Sequence, residues 1–193
     1  MFTALLDTCV LWPSKQRDFL LSLAVEGMYR PTWSSVTLDE LEFHEAAKQR
    51  ERFEATEIEA DRRASYLIEQ MRRSFSDAEV TDFERLEGTF GLPDADDEHV
   101  VAAAVIAGAG VIVTDNIKDF PRARIPTQLE VIRPAEFAEN TVAVDPIRAR
   151  AAVVAVVGRF GRKGPRISED DFLDILSLRY GMTDAVELIR QAR

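Results

Sequence analysis

The stretch FTALLD, residues 2–7, decides the reading of the fold. A short, continuously apolar run leaves no face for water. It reads as a strand of a parallel sheet covered on both sides, with Asp7 at its C-terminal tip. VIVTDNIKD, at 111–119, repeats the pattern of apolar strand followed by an acid-rich loop. Working outward, Pro13 and Ser14 open a helix with Phe19, Leu20, Leu23 and Ala24 on one face. Tyr29–Trp33 reads as a short strand. Ser34 or Ser35 then caps a helix through Leu38, Leu41 and Phe43. Residues 55–73 form a more polar helix, and 95–107 an Ala- and Val-rich one buried on most sides and stopped by Gly108 and Gly110. Leu129–Ile132 is a further strand, and Pro134 starts the next helix. Strands alternating with helices predict an α/β fold around a central parallel sheet.

The pattern changes near 140–146, where Asp145-Pro146 marks a boundary. Beyond it everything is helical in pattern: an Ala/Val helix over 147–157, a basic glycine-containing loop, GRFGRKGPR, over 158–166, and a helix capped by Ser168 and ended by Gly181. Thr183 is expected to cap the last helix. The predicted division is residues 1–140 and a helical C-terminal extension, 141–193.

Composition narrows the function. With 46% hydrophobic and 30% charged residues over 193 positions, the chain can bury a core and is not a disordered polymer. A single cysteine, Cys9, excludes an intramolecular disulfide and reads as a small buried hydrophobe. One Cys and two His, His44 and His99, cannot build a zinc pattern. The apolar N-terminus lacks a basic n-region and carries Asp7, so a signal peptide is not expected, and no stretch is long enough to span a membrane. A cytoplasmic location is expected. The net charge of −10 is uneven. Residues 145–193 hold nine Lys and Arg against seven Asp and Glu, while 1–144 hold fifteen against twenty-seven.

The placement of the acids is chemical. In open parallel sheets ligands bind at the carboxyl ends of the strands. Asp7 and the Asp115–Asp119 loop fall there. A third group, Asp94, Asp96 and Asp97 in LPDADDEHVVAAA, opens the apolar helix. Capping and the helix dipole account for one or two of these acids. Three or four carboxylates without basic partners repel one another unless a cation sits among them. Such a cluster suits a hard divalent ion, which activates water for phosphodiester hydrolysis without a side-chain nucleophile. No Ser-His or Cys-His constellation competes with that chemistry.

Four motifs, in order, resemble the PIN-domain nucleases, and in particular the VapC-type toxins of toxin–antitoxin pairs. They are LLDTCVL with Asp7, SSVTLDEL with Glu40, DEHVVAAA with Asp97 followed by Ala102 and Ala104, and VTDNIKDF with Asp119. Asp39 is off register beside Glu40. In the fourth motif Asn116 stands where many members carry an acid, leaving Asp119 as the fourth acid, with Asp115 and Asn116 as alternatives. The resemblance covers roughly residues 2–134. It implies a three-layer α/β/α sandwich and Mg²⁺- or Mn²⁺-dependent RNA cleavage by Asp7, Glu40, Asp97 and Asp119. Supporting roles fall to Thr114, orienting a carboxylate or water, and to Asp94. It also implies a small VapB-like antitoxin partner and a homodimer or toxin–antitoxin hetero-oligomer. The tail resembles the added helices of a longer VapC-like subgroup.

RNA or partner contacts are sought among basic residues: Lys48, Arg50 and Arg52, Arg72 and Arg73, Arg122 and Arg124 beside the acid loop, and Arg159, Arg162, Lys163 and Arg166. Many such charges only solvate a helix face. Trp12 and Trp33 read as core residues rather than base-stacking platforms. The competing functions are a DNA-directed nuclease with the same acids and a catalytically inactive PIN-like binding or regulatory protein. A receiver-like pocket lacks its late-strand Lys, and a haloacid-dehalogenase-like site would need an acid where Cys9 stands.

Overall fold

A computed structural model describes residues 2–160 and 166–192. Its sheet has five strands: β1 (Thr3–Leu6), β2 (Arg30–Ser34), β3 (Glu79–Val80), β4 (Val111–Val113) and β5 (Glu130–Ile132), in the order β3-β2-β1-β4-β5. β1 runs parallel to β4, with Leu5 opposite Ile112 and Leu6 opposite Val113, and β2 runs parallel to β3. Leu5, Leu6, Ile112 and Val113 are fully buried, as the continuous apolar runs require. The fold is α/β: a parallel sheet with flanking helices, followed by a helical C-terminal region.

The chain divides into two compact units. The first is Thr3–Trp12 with Pro31–Val131, and the second is Met1–Phe2, Pro13–Arg30 and Ile132–Arg193. The short helix α1 (Thr8–Leu11) belongs to the first unit and α2 (Ser14–Val25) to the second. The first unit also holds α3 (Ser35–Phe53), α4 (Glu57–Ser74) and α5 (Glu98–Ile106). Val100–Ala104 of α5 are fully buried and share one core with Leu5, Ile112, Phe83 and Phe120. Small side chains let this helix approach the sheet closely, so nearly every position can be apolar. Gly108, at φ +62°, then adopts the left-handed turn that ends the helix without a Cβ penalty.

Local detail departs from the sequence reading at some positions and agrees with it at others. Phe43 is 67% exposed, because α3 turns it away from the core that holds Leu38 and Leu41. The apolar segment expected to be helical from 95 begins as a 3₁₀ turn, Ala95–Asp97, and becomes α-helix only at Glu98. β3 has two residues, too short for any periodicity. Ser34, the capping residue of α3, accepts from the Thr37 N–H at 3.0 Å.

In the second unit, α2 buries Phe19, Leu20, Leu23 and Ala24 as its spacing requires. It packs with α7 (Pro146–Val157) and α8 (Glu169–Tyr180), while α6 (Pro134–Val144) packs with α9 (Thr183–Gln191). The C-terminal helices are therefore built together with a segment from early in the chain. Asp145 caps α7 by accepting from the Arg148 N–H, and Ser168 and Asp171 form a reciprocal capping box at α8. Thr183 does not cap α9. Met182 holds that position, and the Thr183 hydroxyl pairs with Ser177 at 3.0 Å. No helix among the described residues is long and apolar enough to cross a membrane.

Candidate active site

Asp7 sits at the end of β1, where its backbone N–H donates to the Val113 carbonyl and continues the β1–β4 pairing. This fixes the carboxylate at the strand tip, 5% exposed. Oδ1 accepts from the Thr8 N–H at 2.6 Å, which makes Asp7 the cap of α1. Oδ2 accepts from Thr114 Oγ1 at 2.6 Å and from the Cys9 thiol at 3.1 Å. Thr114, fully buried, also accepts from the Asn116 N–H at 3.0 Å, so one hydroxyl links the β4 tip to Asp7 and to the following loop.

Cys9 is not the buried hydrophobe expected from the sequence. It is partly exposed, touches Asp7 and Thr114, and accepts from the Asp115 N–H at 3.3 Å. Burial first, then the Asp7 charge, pushes its thiol up to about 12. It therefore stays protonated and donates to the carboxylate.

Glu40 lies on α3 and accepts from the Thr8 hydroxyl. Asp39, one residue earlier, is exposed and does not line the cleft. Asp97 ends the 3₁₀ turn before α5. Asp94 caps that turn, accepting from the Asp96 N–H at 3.0 Å. Asp7, Glu40, Asp94, Asp96, Asp97 and Asn116 line one cleft of about 410 Å³ with Thr8, Cys9, Trp12 and His44. Asp119 does not line it; Asn116 does. Asp119, partly exposed, reaches the cleft through its charge on Asp97. Asp115 is exposed.

The electrostatic result is concentrated on Asp97, whose carboxyl is pushed up to about 7. Loss of solvent is the largest cause, followed by the charges of Asp7, Asp94, Asp119 and Glu40. Near neutral pH this acid is poised between its two states. Among the described residues, no three His, Cys, Asp or Glu side chains are gathered closely enough to hold a metal ion as they stand. The donor types nonetheless fit a hard divalent cation. The cleft offers carboxylate and amide oxygens, and its sulfur is protonated.

Sequence reasoning missed three supports. Glu98, 3% exposed, accepts from the Phe90 and Leu92 N–H groups at 3.1 and 2.9 Å and so ties down the loop that precedes Asp94. His99, 5% exposed, places Nδ1 2.8 Å from the Ser34 hydroxyl, and burial lowers its pKa. Both follow Asp97 directly in sequence, within a helix legible only as apolar. Trp12 is the third. It is 37% exposed on the cleft wall, whereas Trp33 is fully buried as expected.

The basic residues are mostly engaged elsewhere. Arg122 donates to the carbonyls of Pro126, Thr127 and Leu129. Arg124 extends beside Gly91. Arg159 donates to Ser22 Oγ at 2.8 Å. Lys48, Arg50, Arg72 and Arg73 pair with Glu45, Asp61, Glu79 and Glu69. Arg166 is exposed, and Arg162 and Lys163 lie outside the described residues.

Residues 3–118, more than half of the chain, match a family model described as the PIN domain. No curated protein and no solved structure matches the chain.

Proposed function

The chain belongs to the PIN-domain family, and from that premise we propose that it is a metal-dependent endoribonuclease, the toxin of a VapBC-type pair with a small antitoxin as partner. One observation carries the catalytic reading: Asp7, Glu40, Asp94 and Asp97 surround a single cleft in which Asp97 is strongly destabilised as an anion. A cluster that resists its own ionisation is one that a cation relieves.

Asp7, Glu40 and Asp97 would hold Mg²⁺ or Mn²⁺, with Asp119 and Asp94 adding negative charge around it. The bound ion supplies water activation and offsets the charge that develops on the phosphate. The chain's own residues prepare that chemistry. Thr114, the Thr8 N–H and the Cys9 thiol hold Asp7 in one orientation. Thr8 holds Glu40. Glu98 fixes the loop that leads into the 3₁₀ turn carrying Asp94 and Asp97.

The test uses purified full-length protein, freed of any copurifying partner, with single-stranded RNA and either Mg²⁺ or Mn²⁺. Cleavage that EDTA stops and that Asp7→Asn or Asp97→Asn abolishes supports the reading, as does relief of growth arrest by those variants. A wild-type protein that binds neither ion and cuts no RNA overturns it. A parallel DNA substrate decides between RNA and DNA as target.

A further inference from the structure

We propose that Trp12 forms a base-stacking subsite beside the carboxylates, with His44 and Phe43 as the aromatic ledge behind it; the proposal rests on the nuclease reading above and adds how the substrate is held. The cleft wall pairs chemistry of two kinds. Asp7, Glu40 and Asp97 line it together with the Trp12 indole and the His44 imidazole, which follows Glu40 by one turn on the same face of α3. Trp12 meets His44 edge-on, with ring centroids 6.1 Å apart, and His44 meets Phe43 in the same manner at 5.6 Å. Trp12 remains 37% exposed and Phe43 67% exposed, so the ledge presents aromatic surface to solvent.

The position of Trp12 is set by the same device that sets Asp7. Asp7 caps the front of α1 and Trp12 caps its rear, donating its N–H to the Thr8 carbonyl at 2.9 Å. One helical turn therefore sets the Trp12 backbone at a fixed offset from that of Asp7.

Charge shows why such a ledge is needed. The cleft's lining includes no Lys or Arg among the described residues. An acidic wall repels a polyanion, and a bound cation offsets that only at the phosphate it touches. Attraction that does not depend on charge has to come from elsewhere, and stacking on an aromatic face supplies it for any base. A volume of about 410 Å³ falls within the range of small-ligand sites, larger than a phosphodiester alone requires. Stacking also demands a base free of its partner strand, so the subsite selects unpaired nucleotides next to the scissile bond.

The experiment is a scan of single abasic substitutions along a single-stranded oligoribonucleotide of fixed sequence. It is cleaved in Mn²⁺ by wild type, Trp12→Ala and Trp12→Phe. One abasic position adjoining the cut should raise KM for wild type about 10-fold, the scale of losing one stacked base. Trp12→Ala should show the same rise on the intact oligonucleotide, with no further rise on the abasic one, and Trp12→Phe should restore most of it. Mn²⁺ affinity should be equal in all three. Because Trp33 is fully buried, fluorescence quenched by the oligonucleotide should be lost in Trp12→Phe. Normal cleavage with no abasic-sensitive position, or an unchanged KM in Trp12→Ala, overturns the subsite and leaves the nuclease reading intact. If wild type neither cleaves the oligonucleotide nor shows quenching, both fall.

Discussion

Thr114 and Asp7 are separated by 107 residues of sequence, yet Thr114 Oγ1 lies 2.6 Å from Asp7 Oδ2 at the joint tip of two paired strands. The bond spans β1 and β4 and aims the carboxylate from behind. Thr114→Val keeps the shape and removes the hydroxyl. It should leave the fold intact at a loss of about 1–2 kcal/mol, while metal-dependent cleavage falls about tenfold or more because Asp7 loses a bond that orients it. Thr114→Ser should restore both. Denaturant unfolding alongside nuclease kinetics checks the two effects separately.

Asp97 should show opposite effects on stability and activity. Its carboxyl is pushed up to about 7 by burial and by four neighbouring acids, so its charge opposes folding when no cation is present. Asp97→Asn should therefore raise the melting temperature of metal-free protein at about pH 8, while abolishing metal-dependent cleavage. Thermal denaturation with EDTA, set against activity with Mn²⁺, gives the test. A variant less stable than wild type under those conditions would contradict the electrostatic account.

The same group sets a pH dependence of definite sign. Between the ordinary carboxylate value and about 7, the folded chain holds a proton at Asp97 that the unfolded chain has released. Its contribution to metal-free stability is thus fullest in acid and is lost as pH rises towards about 7. Metal affinity runs the other way, because proton and cation compete for one carboxylate. Calorimetric titration with Mn²⁺ should find affinity falling by up to about tenfold per pH unit below about 7 and level above it.

Asp119 and Asn116 divide a role that one acid was expected to fill. Asn116 lines the cleft, whereas Asp119 acts on it by charge from outside the lining. Asp119→Asn should reduce activity far less than Asp97→Asn, by about tenfold or below. It should also lower the pH at which metal affinity levels off, since one of the charges raising the Asp97 pKa is gone. Calorimetric titrations of Mn²⁺ into wild type and Asp119→Asn across a series of pH values measure that shift.

Glu98 anchors the loop ahead of Asp94 through two backbone N–H groups. Glu98→Ala leaves both donors without that acceptor and should cost about 2 kcal/mol or more. Hydrogen exchange should rise first at Phe90 and Leu92, with activity falling as Asp94 and Asp97 lose their support.

Much of this was legible in the chain because the informative residues lie where pattern and chemistry coincide. FTALL and VIVT have one reading, since a fully apolar run of strand length must be covered on both faces. The acid after each run then falls at a strand tip. Legibility ended where long-range geometry takes over. Nothing local to Cys9 marks it as a partner of Asp7, because its setting depends on Thr114. Trp12 reads as core because an indole next to LLDTCVL is usually packed, whereas it stands 37% exposed beside His44 of α3. Glu98 and His99 were hidden within an apolar helix whose opening acids drew the attention. Thr183 failed as a cap because Met182 takes that position and Thr183 bonds Ser177 instead.

The union of α2 with α7 and α8 has a consequence for how the polypeptide acquires its structure during synthesis. α2 ends at Val25, and α7 does not begin until Pro146. On a ribosome, Phe19, Leu20 and Leu23 emerge with the helices that shelter them still untranslated. They must wait through more than a hundred further residues. Contacts that close so large a loop form late and slowly. Until α7 is made, the nascent chain therefore carries a helix whose apolar face, Phe19, Leu20 and Leu23, lacks its cover. An mRNA cut before the codons of α7 would yield an aggregation-prone fragment in place of a smaller working protein.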